Sequence, residues 1–246
     1  MGVSGLCLQL DVGNTSAKWR LVNGNEVSDR GDYRPNDESS QQRLLGCSES
    51  LDHIWISSVI APASEIRLSR LLESQWGVTP WFARSQVCTG SLVNSYSDPS
   101  RMGVDRWLAM VGGRERTKSK VCVIDAGSAL TVDIVGATGR HEGGYIIPGV
   151  ALMERALLLD TDRVRFNEDI GHALTPGTST AQAVRHGIAL AQAGAVSLAL
   201  NQAGSEPIAL LFCGGAGEAL MQLVDRGGEM VPDLVFEGLE IMAGLR

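Results

Sequence analysis

The stretch LQLDVGNTSAKWRLV, Leu8 to Val22, joins an apolar strand, an acid, a glycine-containing turn and a second strand. The same order returns in VCVIDAGSALTVDIV, Val121 to Val135. A single copy is explained by an ordinary β-hairpin with favourable Asp, Asn and Gly turn residues. Two copies in one chain predict a duplicated structural unit. Aligning the copies on their aspartates places Asp11 on Asp125, Gly13 on Gly127, Asn14 on Ser128, and Ala17 near Thr131.

The order of predicted elements is the same in both halves of the chain. Each half begins with a strand hairpin and a third strand, and then alternates helices with strands. This pattern predicts an α/β fold in which a mixed sheet covered by helices is built twice. We expect domains at 1–120 and 121–246. In the second, 233–238 is predicted as a final strand and 239–245 as a closing helix that can pack back on the first domain.

Composition narrows the class of protein. The chain has 246 residues, of which 44% are hydrophobic, and its net charge of −7 argues against a nucleic-acid partner held through phosphates. Its five cysteines are scattered, and three lie in apolar runs typical of reduced, buried thiols. Because we find neither a signal-peptide pattern nor an apolar run of membrane-spanning length, we expect a soluble cytoplasmic protein with no membrane partner.

The two hairpin turns have the composition of a phosphate site. Glycine at 13 and 127 lets the backbone approach a ligand and direct N–H groups toward phosphate oxygens. Asn14, Thr15 and Ser128 add donors, and Lys18 adds a positive charge. Asp11 and Asp125 repel phosphate unless a cation lies between them, so the pattern predicts bound cations.

A third glycine-rich segment is FCGGAGEAL, Phe212 to Leu220. A strand that ends in Gly-Gly-x-Gly before a helix exposes backbone at a helix N-terminus, which suits a nucleotide. Such turns are common in α/β proteins. Together with the two hairpins, this one indicates a nucleotide-binding protein.

These motifs resemble the actin-like ATPase superfamily of acetate and sugar kinases, heat-shock ATPases and actin. Within it, the chain is similar to the type III pantothenate kinases. The matching segments are DVGNTSAK at 11–18, GVDRWLA at 103–109, DAGSALTVD at 125–133, GGYIIPG at 143–149, TSTAQAVRHG at 178–187 and GGAG at 214–217. The resemblance implies duplicated actin-like (ribonuclease H-like) domains, each with a mixed five-stranded sheet flanked by helices.

The resemblance also implies roles for the phosphate segments. Asp11 is expected to help hold Mg²⁺, and Asp125 to bind a monovalent cation, K⁺ or NH₄⁺. The expected ATP-binding residues are Asp11, Val12, Gly13, Asn14, Thr15, Ser16, Ala17, Lys18, Ser128, Gly214, Gly215 and Gly217.

The acceptor side of the site is implied in the same way. Asp105 is expected to accept the proton of the substrate hydroxyl. The expected pantothenate-binding residues are Tyr96, Gly103, Val104, Asp105, Arg106 and Thr180. Each has a structural alternative: Asp105 as an acid at a helix start, Arg106 as a surface charge, Thr180 as a helix N-cap and Tyr96 as a loosely packed loop residue.

The activity implied is ATP-dependent phosphorylation of pantothenate to 4'-phosphopantothenate, the first step of coenzyme A biosynthesis. The alternatives are another small-molecule kinase of the superfamily and a non-catalytic regulatory or accessory protein on the same scaffold. The family also implies a homodimer, to which the small residues of Val184 to Ala203 are expected to contribute.

Overall fold

A computed structural model describes residues 3–160 and 164–245 of the chain. Within these ranges the protein is α/β, with two five-stranded mixed sheets and helices around them. The predicted duplication and fold class are therefore confirmed.

The first sheet has the strand order β3-β2-β1-β4-β5. Its strands are β1 (Val3–Val12), β2 (Ala17–Gly24), β3 (Glu26–Tyr33), β4 (His53–Ser58) and β5 (Trp81–Phe82). The first three strands are antiparallel neighbours, whereas β4 runs parallel to β1 and β5 parallel to β4. Leu8, Leu10 and Trp19 point from this sheet into a buried cluster with Ile54 and Ile56.

The second sheet repeats this topology as β10-β9-β8-β11-β12. Its strands are β8 (Val121–Ala126), β9 (Ala129–Val135), β10 (His141–Pro148), β11 (Ala209–Cys213) and β12 (Glu229–Met230). Again the first three are antiparallel and the last two are added in parallel. Two short strands, β6 (Cys88–Thr89) and β7 (Leu92–Val93), lie in the polar segment that follows β5.

Seven α-helices cover the sheets within the described ranges. They are α1 (Glu38–Leu45), α2 (Pro62–Trp76), α3 (Val104–Arg116), α4 (Val150–Asp160), α5 (Thr180–Gln202), α6 (Gly217–Val224) and α7 (Leu234–Gly244). Helix α2 is capped at its C-terminus by Gly77, whose left-handed φ of +68° favours glycine. The helix begins at Pro62 after Ala61, and proline is well suited to the first helical turn.

The described chain groups into two compact units. One contains the residues up to Gly90, Tyr96–Glu115 and the residues from Leu234 onward; the other contains Ser91–Ser95 and Arg116–Asp233. This grouping differs from a simple division after residue 120 in three places, the first of which is Ser91–Ser95. Residues 116–120 group with the second unit, and α7 groups with the first, where it packs on β1 and β4.

The prediction for the C-terminal segment is wrong in one element. Residues 234–238 are the first turns of α7, and the last strand of the second sheet is the earlier β12. A short apolar run does not distinguish a strand from a buried helix by periodicity alone. Here Gly238 lies against the Leu108 carbonyl of α3, an approach between helices that leaves no room for a Cβ atom.

Helix α5 bears on the prediction that no segment reaches membrane-spanning length. By length and composition it is apolar enough to cross a membrane, so that prediction was too strong. Of its most apolar window, 39% is buried inside the structure. Core helices of soluble proteins pass the same test, and a single such helix is weak evidence for a membrane span.

Candidate active site

The first hairpin turn connects β1 to β2 at residues 13–16. Asp11 pairs with Lys18 in the antiparallel register, and the Gly13 N–H donates to the Ser16 carbonyl at 3.0 Å. Asn14 and Thr15 at the tip are exposed. The turn lines a cavity of about 560 Å³ together with side chains of the β3–α1 loop and α2.

The second hairpin turn connects β8 to β9. Counted from the aspartate to its paired residue, it is one residue shorter than the first. Asp125 pairs with Thr131, and the Gly127 N–H donates to the Ala129 carbonyl at 2.9 Å. Lys18 of the first hairpin therefore corresponds to Thr131 of the second. Both turns place an aspartate at the end of the central strand of a sheet, just before the chain reverses.

The glycines of these turns do not direct their own N–H groups toward a ligand, contrary to the prediction. The N–H groups of Gly13 and Gly127 close the hairpins, and neither glycine has the left-handed φ that would require glycine. The donors available to a phosphate are therefore the exposed tips: the Asn14 amide, the Thr15 hydroxyl and the Ser128 hydroxyl.

Asp11 lies in an environment unfavourable to its charge. Its carboxylate accepts a hydrogen bond of 2.9 Å from Ser57 Oγ, at the end of the parallel strand β4. Burial, followed by the nearby negative charge of Asp105, raises the pKa of Asp11 to about 6, although the Ser57 hydrogen bond and the Lys18 charge act in the opposite direction. A cation at this carboxylate would relieve the penalty.

Asp105 lies in the first turn of α3, where a helix dipole favours an acid. Its Oδ1 accepts the Arg106 N–H at 2.8 Å, and it lies so close to Gly103 that a Cβ atom there would be 2.6 Å from it. The preceding backbone is held by Ser85, whose hydroxyl donates to the Met102 carbonyl at 2.9 Å. Gly103 and Ser85 thus shape the approach to Asp105.

Arg106 and Tyr96 form a pair. Arg106 Nη1 donates to the Tyr96 hydroxyl at 3.0 Å, and the guanidinium lies 5.9 Å from the centre of the Tyr96 ring. Arg106 is only 5% exposed, so it is not the surface charge of the structural alternative. Tyr96 is half-buried and hydrogen-bonded rather than loosely packed.

In the second unit, Asp125 lies against the glycine-rich turn after β11. A Cβ atom at Gly214 would collide with the Asp125 carboxylate, and the φ of Gly214 is +81°, so glycine is required for both reasons. The turn is fastened to β8 by the Ala216 N–H, which donates to the Ala126 carbonyl at 2.9 Å. Gly215 is exposed, whereas Gly217 is buried against Met230.

Two further motif residues lie near the second hairpin and α5. The Gly149 N–H donates to the Ser128 carbonyl at 3.1 Å, which ties GGYIIPG to the hairpin turn. Thr180 is the first residue of α5, and the N-cap is its neighbour Ser179, which accepts from the Gln182 N–H. The capping alternative for Thr180 is therefore wrong. Thr180 lines an apolar cavity of about 920 Å³ between α4 and α5.

One residue of this site was missed by the sequence analysis. Ser57 belongs to a Ser-Ser pair that ends an apolar strand, and this polar ending was a usable signal. Among the described residues no group of three or more His, Cys, Asp or Glu side chains is arranged to hold a metal. A divalent cation would therefore depend on one carboxylate together with phosphate oxygens and water, as Mg²⁺ commonly does.

Comparison with known proteins identifies the family of the chain. The family model for type III pantothenate kinase matches residues 7–202. A type III pantothenate kinase of Marinobacter nauticus is 35% identical over 242 residues, covering 97% of this chain and 98% of the relative. Another, from Hahella chejuensis, is 35% identical over 96% of both chains.

Solved structures show the same fold at lower identity. A protein from Campylobacter jejuni described as belonging to the Baf family of transcriptional activators has a TM-score of 0.63 at 20% identity, covering 97% of this chain and 98% of that one. The activator of 2-hydroxyisocaproyl-CoA dehydratase from Clostridium difficile, with bound ADPNP, has a TM-score of 0.52 at 14% identity, covering 97% and 92%. These likenesses show the actin-like fold alone. By the family model and the near-full-length relatives, the chain belongs to the type III pantothenate kinase family.

Proposed function

We propose that this protein transfers the γ-phosphoryl group of ATP to the terminal hydroxyl of pantothenate, giving 4'-phosphopantothenate in the first step of coenzyme A biosynthesis. One structural observation carries the proposal beyond family membership. Asp11 and Asp105, expected on the donor and acceptor sides, lie close enough in one unit for the charge of Asp105 to raise the pKa of Asp11. Two such acids beside a phosphate turn suit phosphoryl transfer to a hydroxyl.

The reaction needs the chain to hold the nucleotide and to take one proton. The exposed donors of Asn14 and Thr15 in the first unit, and separately that of Ser128 in the second, are proposed to bind phosphate oxygens. The pantothenate oxygen forms a bond to the γ-phosphorus, the bond from that phosphorus to the β–γ bridging oxygen breaks, and ADP leaves. The hydroxyl proton passes to the Asp105 carboxylate, which the Arg106 N–H and the α3 N-terminus hold in place.

Two cations fit the carboxylates of the site. Asp11 would hold Mg²⁺, which supplies charge neutralisation for the transferring phosphoryl group when bound. Asp125, which lies against the glycine-rich turn of its own unit, would hold K⁺ or NH₄⁺. The fit rests on the chemistry of the donors: both are oxygen ligands at strand ends, and a cation at Asp11 would relieve the cost of burial that raises the pKa of this carboxyl.

The acceptor pocket would be lined by the pair of Tyr96 and Arg106, together with Gly103 and Val104. Arg106 is buried and positively charged, which suits the negative charge of pantothenate. In the second unit, Thr180 lines the apolar cavity next to α5 and is proposed as a separate hydroxyl contact for pantothenate.

The homodimer expected for the family also belongs to this proposal. Helices α4 and α5 expose Leu152 and Leu157, which line the cavity of about 920 Å³, and also Leu190 and Leu198. Exposed leucines of this kind suit a surface that a second copy covers. Sedimentation at micromolar concentration would show a dimer, and Leu190→Glu would dissociate it, whereas Ile66→Glu on α2 would not. A wild-type monomer would contradict the dimer.

The cellular setting is proposed to be the cytoplasm. All five cysteines are free thiols, of which Cys7, Cys122 and Cys213 are buried. Burial raises the pKa of Cys7 and of Cys122 to about 12, so these thiols stay protonated and inert. We propose no nucleic-acid or membrane partner.

A single assay decides between this function and its alternatives. Purified protein is incubated with ATP, Mg²⁺, K⁺ and pantothenate, and ADP and phosphopantothenate are measured. Formation of both in equal amounts supports the proposal. Phosphorylation of a different alcohol instead would indicate another kinase of the superfamily, and nucleotide binding with no transfer to any acceptor would indicate a regulatory protein.

A further inference from the structure

A hydrogen-bonded chain of three side chains, two of them buried, lies outside the residues assigned to the site. His141 Nε2 and Asp133 Oδ1 are 3.0 Å apart, and His141 Nδ1 and Ser95 Oγ are 2.8 Å apart. His141 is 0% and Asp133 1% exposed, whereas Ser95 is exposed. All three belong to the second unit.

The geometry fixes the direction of the hydrogen bonds. A carboxylate only accepts, so Asp133 accepts from the Nε2–H of His141. In the neutral ring, Nδ1 is then the acceptor, and the Ser95 hydroxyl donates to it. Asp133 thereby sets the tautomer and orientation of His141, which in turn holds Ser95.

Ser95 has a special place in the chain because it immediately precedes Tyr96. The segment is held at a second point two residues earlier, where the Val93 N–H donates to the Gly139 carbonyl at 2.9 Å. The β9–β10 hairpin thus holds residues 93 and 95. The next residue, Tyr96, makes the 3.0 Å contact with Arg106.

Burying a carboxylate and an imidazole is costly unless both are well hydrogen-bonded. A surface loop does not need such a device merely to remain folded. The cost of burying these two groups is expected where the position of the loop determines how a ligand binds.

We propose that His141, oriented by Asp133, is a positioning residue for pantothenate binding: it fixes Ser95 and thereby the backbone that presents Tyr96. The residue acts through Ser95 and does not touch the substrate. The inference rests on the proposed function, since Tyr96 is an acceptor contact only if pantothenate is the acceptor.

The test compares two serines that flank Tyr96. Ser95→Ala removes the hydroxyl that His141 holds, and Ser97→Ala removes an exposed hydroxyl on the other side. Because the loss of one intramolecular hydrogen bond typically weakens an equilibrium about 2- to 10-fold, Ser95→Ala should raise the KM for pantothenate by about that factor. The KM for ATP should stay constant, Ser97→Ala should behave as wild type, and Ser95→Thr should restore the KM.

A variant of the buried histidine completes a double-mutant cycle with Ser95→Ala. His141→Gln should raise the KM for pantothenate in the same way, and adding Ser95→Ala to it should cause no further increase, because the bond is already lost. If His141→Gln does not fold, the serine variants alone decide.

Amide hydrogen exchange without any substrate separates this proposal from the proposed function. Peptides covering 91–97 should exchange faster in Ser95→Ala than in wild type or Ser97→Ala. If exchange is faster but neither wild type nor the variants phosphorylate pantothenate, the contact between His141 and Ser95 is supported and the proposed function is refuted. Unchanged exchange, or an unchanged pantothenate KM in an active Ser95→Ala enzyme, overturns the positioning role.

Discussion

Ser57 donates a 2.9 Å hydrogen bond to Asp11 where β1 and β4 run side by side, and this bond only partly offsets the cost of burying the acid. The pKa of Asp11 therefore stays raised, at about 6, against an ordinary value of 3.8. A raised carboxyl pKa has a defined consequence for stability. Well below pH 3.8 the group is protonated in both the folded and the unfolded chain, and as pH rises from 3.8 through about 6 the folded state loses stability.

From this we expect Asp11→Asn to make the metal-free protein more stable at pH 8. The gain should be on the order of 2 kcal/mol, because asparagine has no charge to bury. At about pH 3, where the carboxyl is mostly protonated in both states, the variant and wild type should be equally stable. Urea unfolding with EDTA at both pH values measures this, with Asp32→Asn, an exposed acid of the same sheet, as control. A variant less stable than wild type at pH 8 would contradict the assigned environment.

The pair of Tyr96 and Arg106 leads to a prediction on substrate affinity. Tyr96→Phe removes the oxygen that accepts from the buried guanidinium. Because hydrogen bonds to charged groups are stronger than neutral ones, the KM for pantothenate should rise about 10-fold or more, with little change in the KM for ATP. Tyr145→Phe, which alters an exposed tyrosine on β10, is the control. Steady-state kinetics with each substrate varied decides, and equal effects of the two variants would exclude a specific role for Tyr96.

Helix α7 offers a prediction on stability that is independent of catalysis. Gly238→Ala places a methyl group against the Leu108 carbonyl, so the free energy of unfolding should fall by about 1–3 kcal/mol. Gly244→Ala lies in the same helix with open space around it and should be neutral or stabilising by up to about 1 kcal/mol. Thermal and urea unfolding of the two variants provide the comparison. Equal stabilities would mean that α7 does not pack as closely as described.

The sequence predicted the hairpins, the sheets and the helix at GVDRWLA because each depends on local patterns: strand periodicity, turn residues and a helical spacing of apolar side chains. The equivalent positions of Asp11 and Asp125 in two hairpins indicated a duplicated unit, which a single hairpin does not. The C-terminal helix was misread because its apolar run is short, and only packing against Leu108 distinguishes it from a strand.

The parts of the site that could not be predicted depend on partners distant in sequence. Ser57 is 46 residues from Asp11, and His141 is 46 residues from Ser95. No local pattern indicates either contact. The use of the Gly13 and Gly127 N–H groups within their own turns was also not visible, since a glycine in a sequence does not reveal where its N–H points.

Asp125 carries a prediction about the monovalent cation. If K⁺ lies between this carboxylate and ATP, replacing K⁺ by Na⁺ should raise the KM for ATP, because the smaller ion does not fit the same oxygen ligands. The melting temperature without nucleotide should be the same in both salts. Asp125→Asn should remove the dependence on K⁺ together with most of the activity. Equal KM values for wild type in the two salts would contradict the assignment.

Asp105 provides the prediction that separates chemistry from binding. A positioned general base typically contributes about 10²- to 10⁴-fold in rate, and asparagine keeps the size of the side chain but does not take up the proton. Asp105→Asn should therefore lower kcat by about that factor and leave nucleotide affinity nearly unchanged. Single-turnover kinetics and calorimetric titration with ATP measure the two quantities.

The control for Asp105 comes from the same stretch of chain. Asp98 caps the short helical turn Pro99–Arg101 by accepting the Ser100 N–H at 3.0 Å, so it is an acid at a helix start without a proposed role in catalysis. If Asp105 were also only such an acid, both asparagine variants would keep wild-type turnover and lose at most about 1 kcal/mol of stability. We expect this of Asp98→Asn alone. Near-wild-type turnover in Asp105→Asn would exclude the general-base role, because a proton acceptor is required in the transfer and asparagine cannot be one.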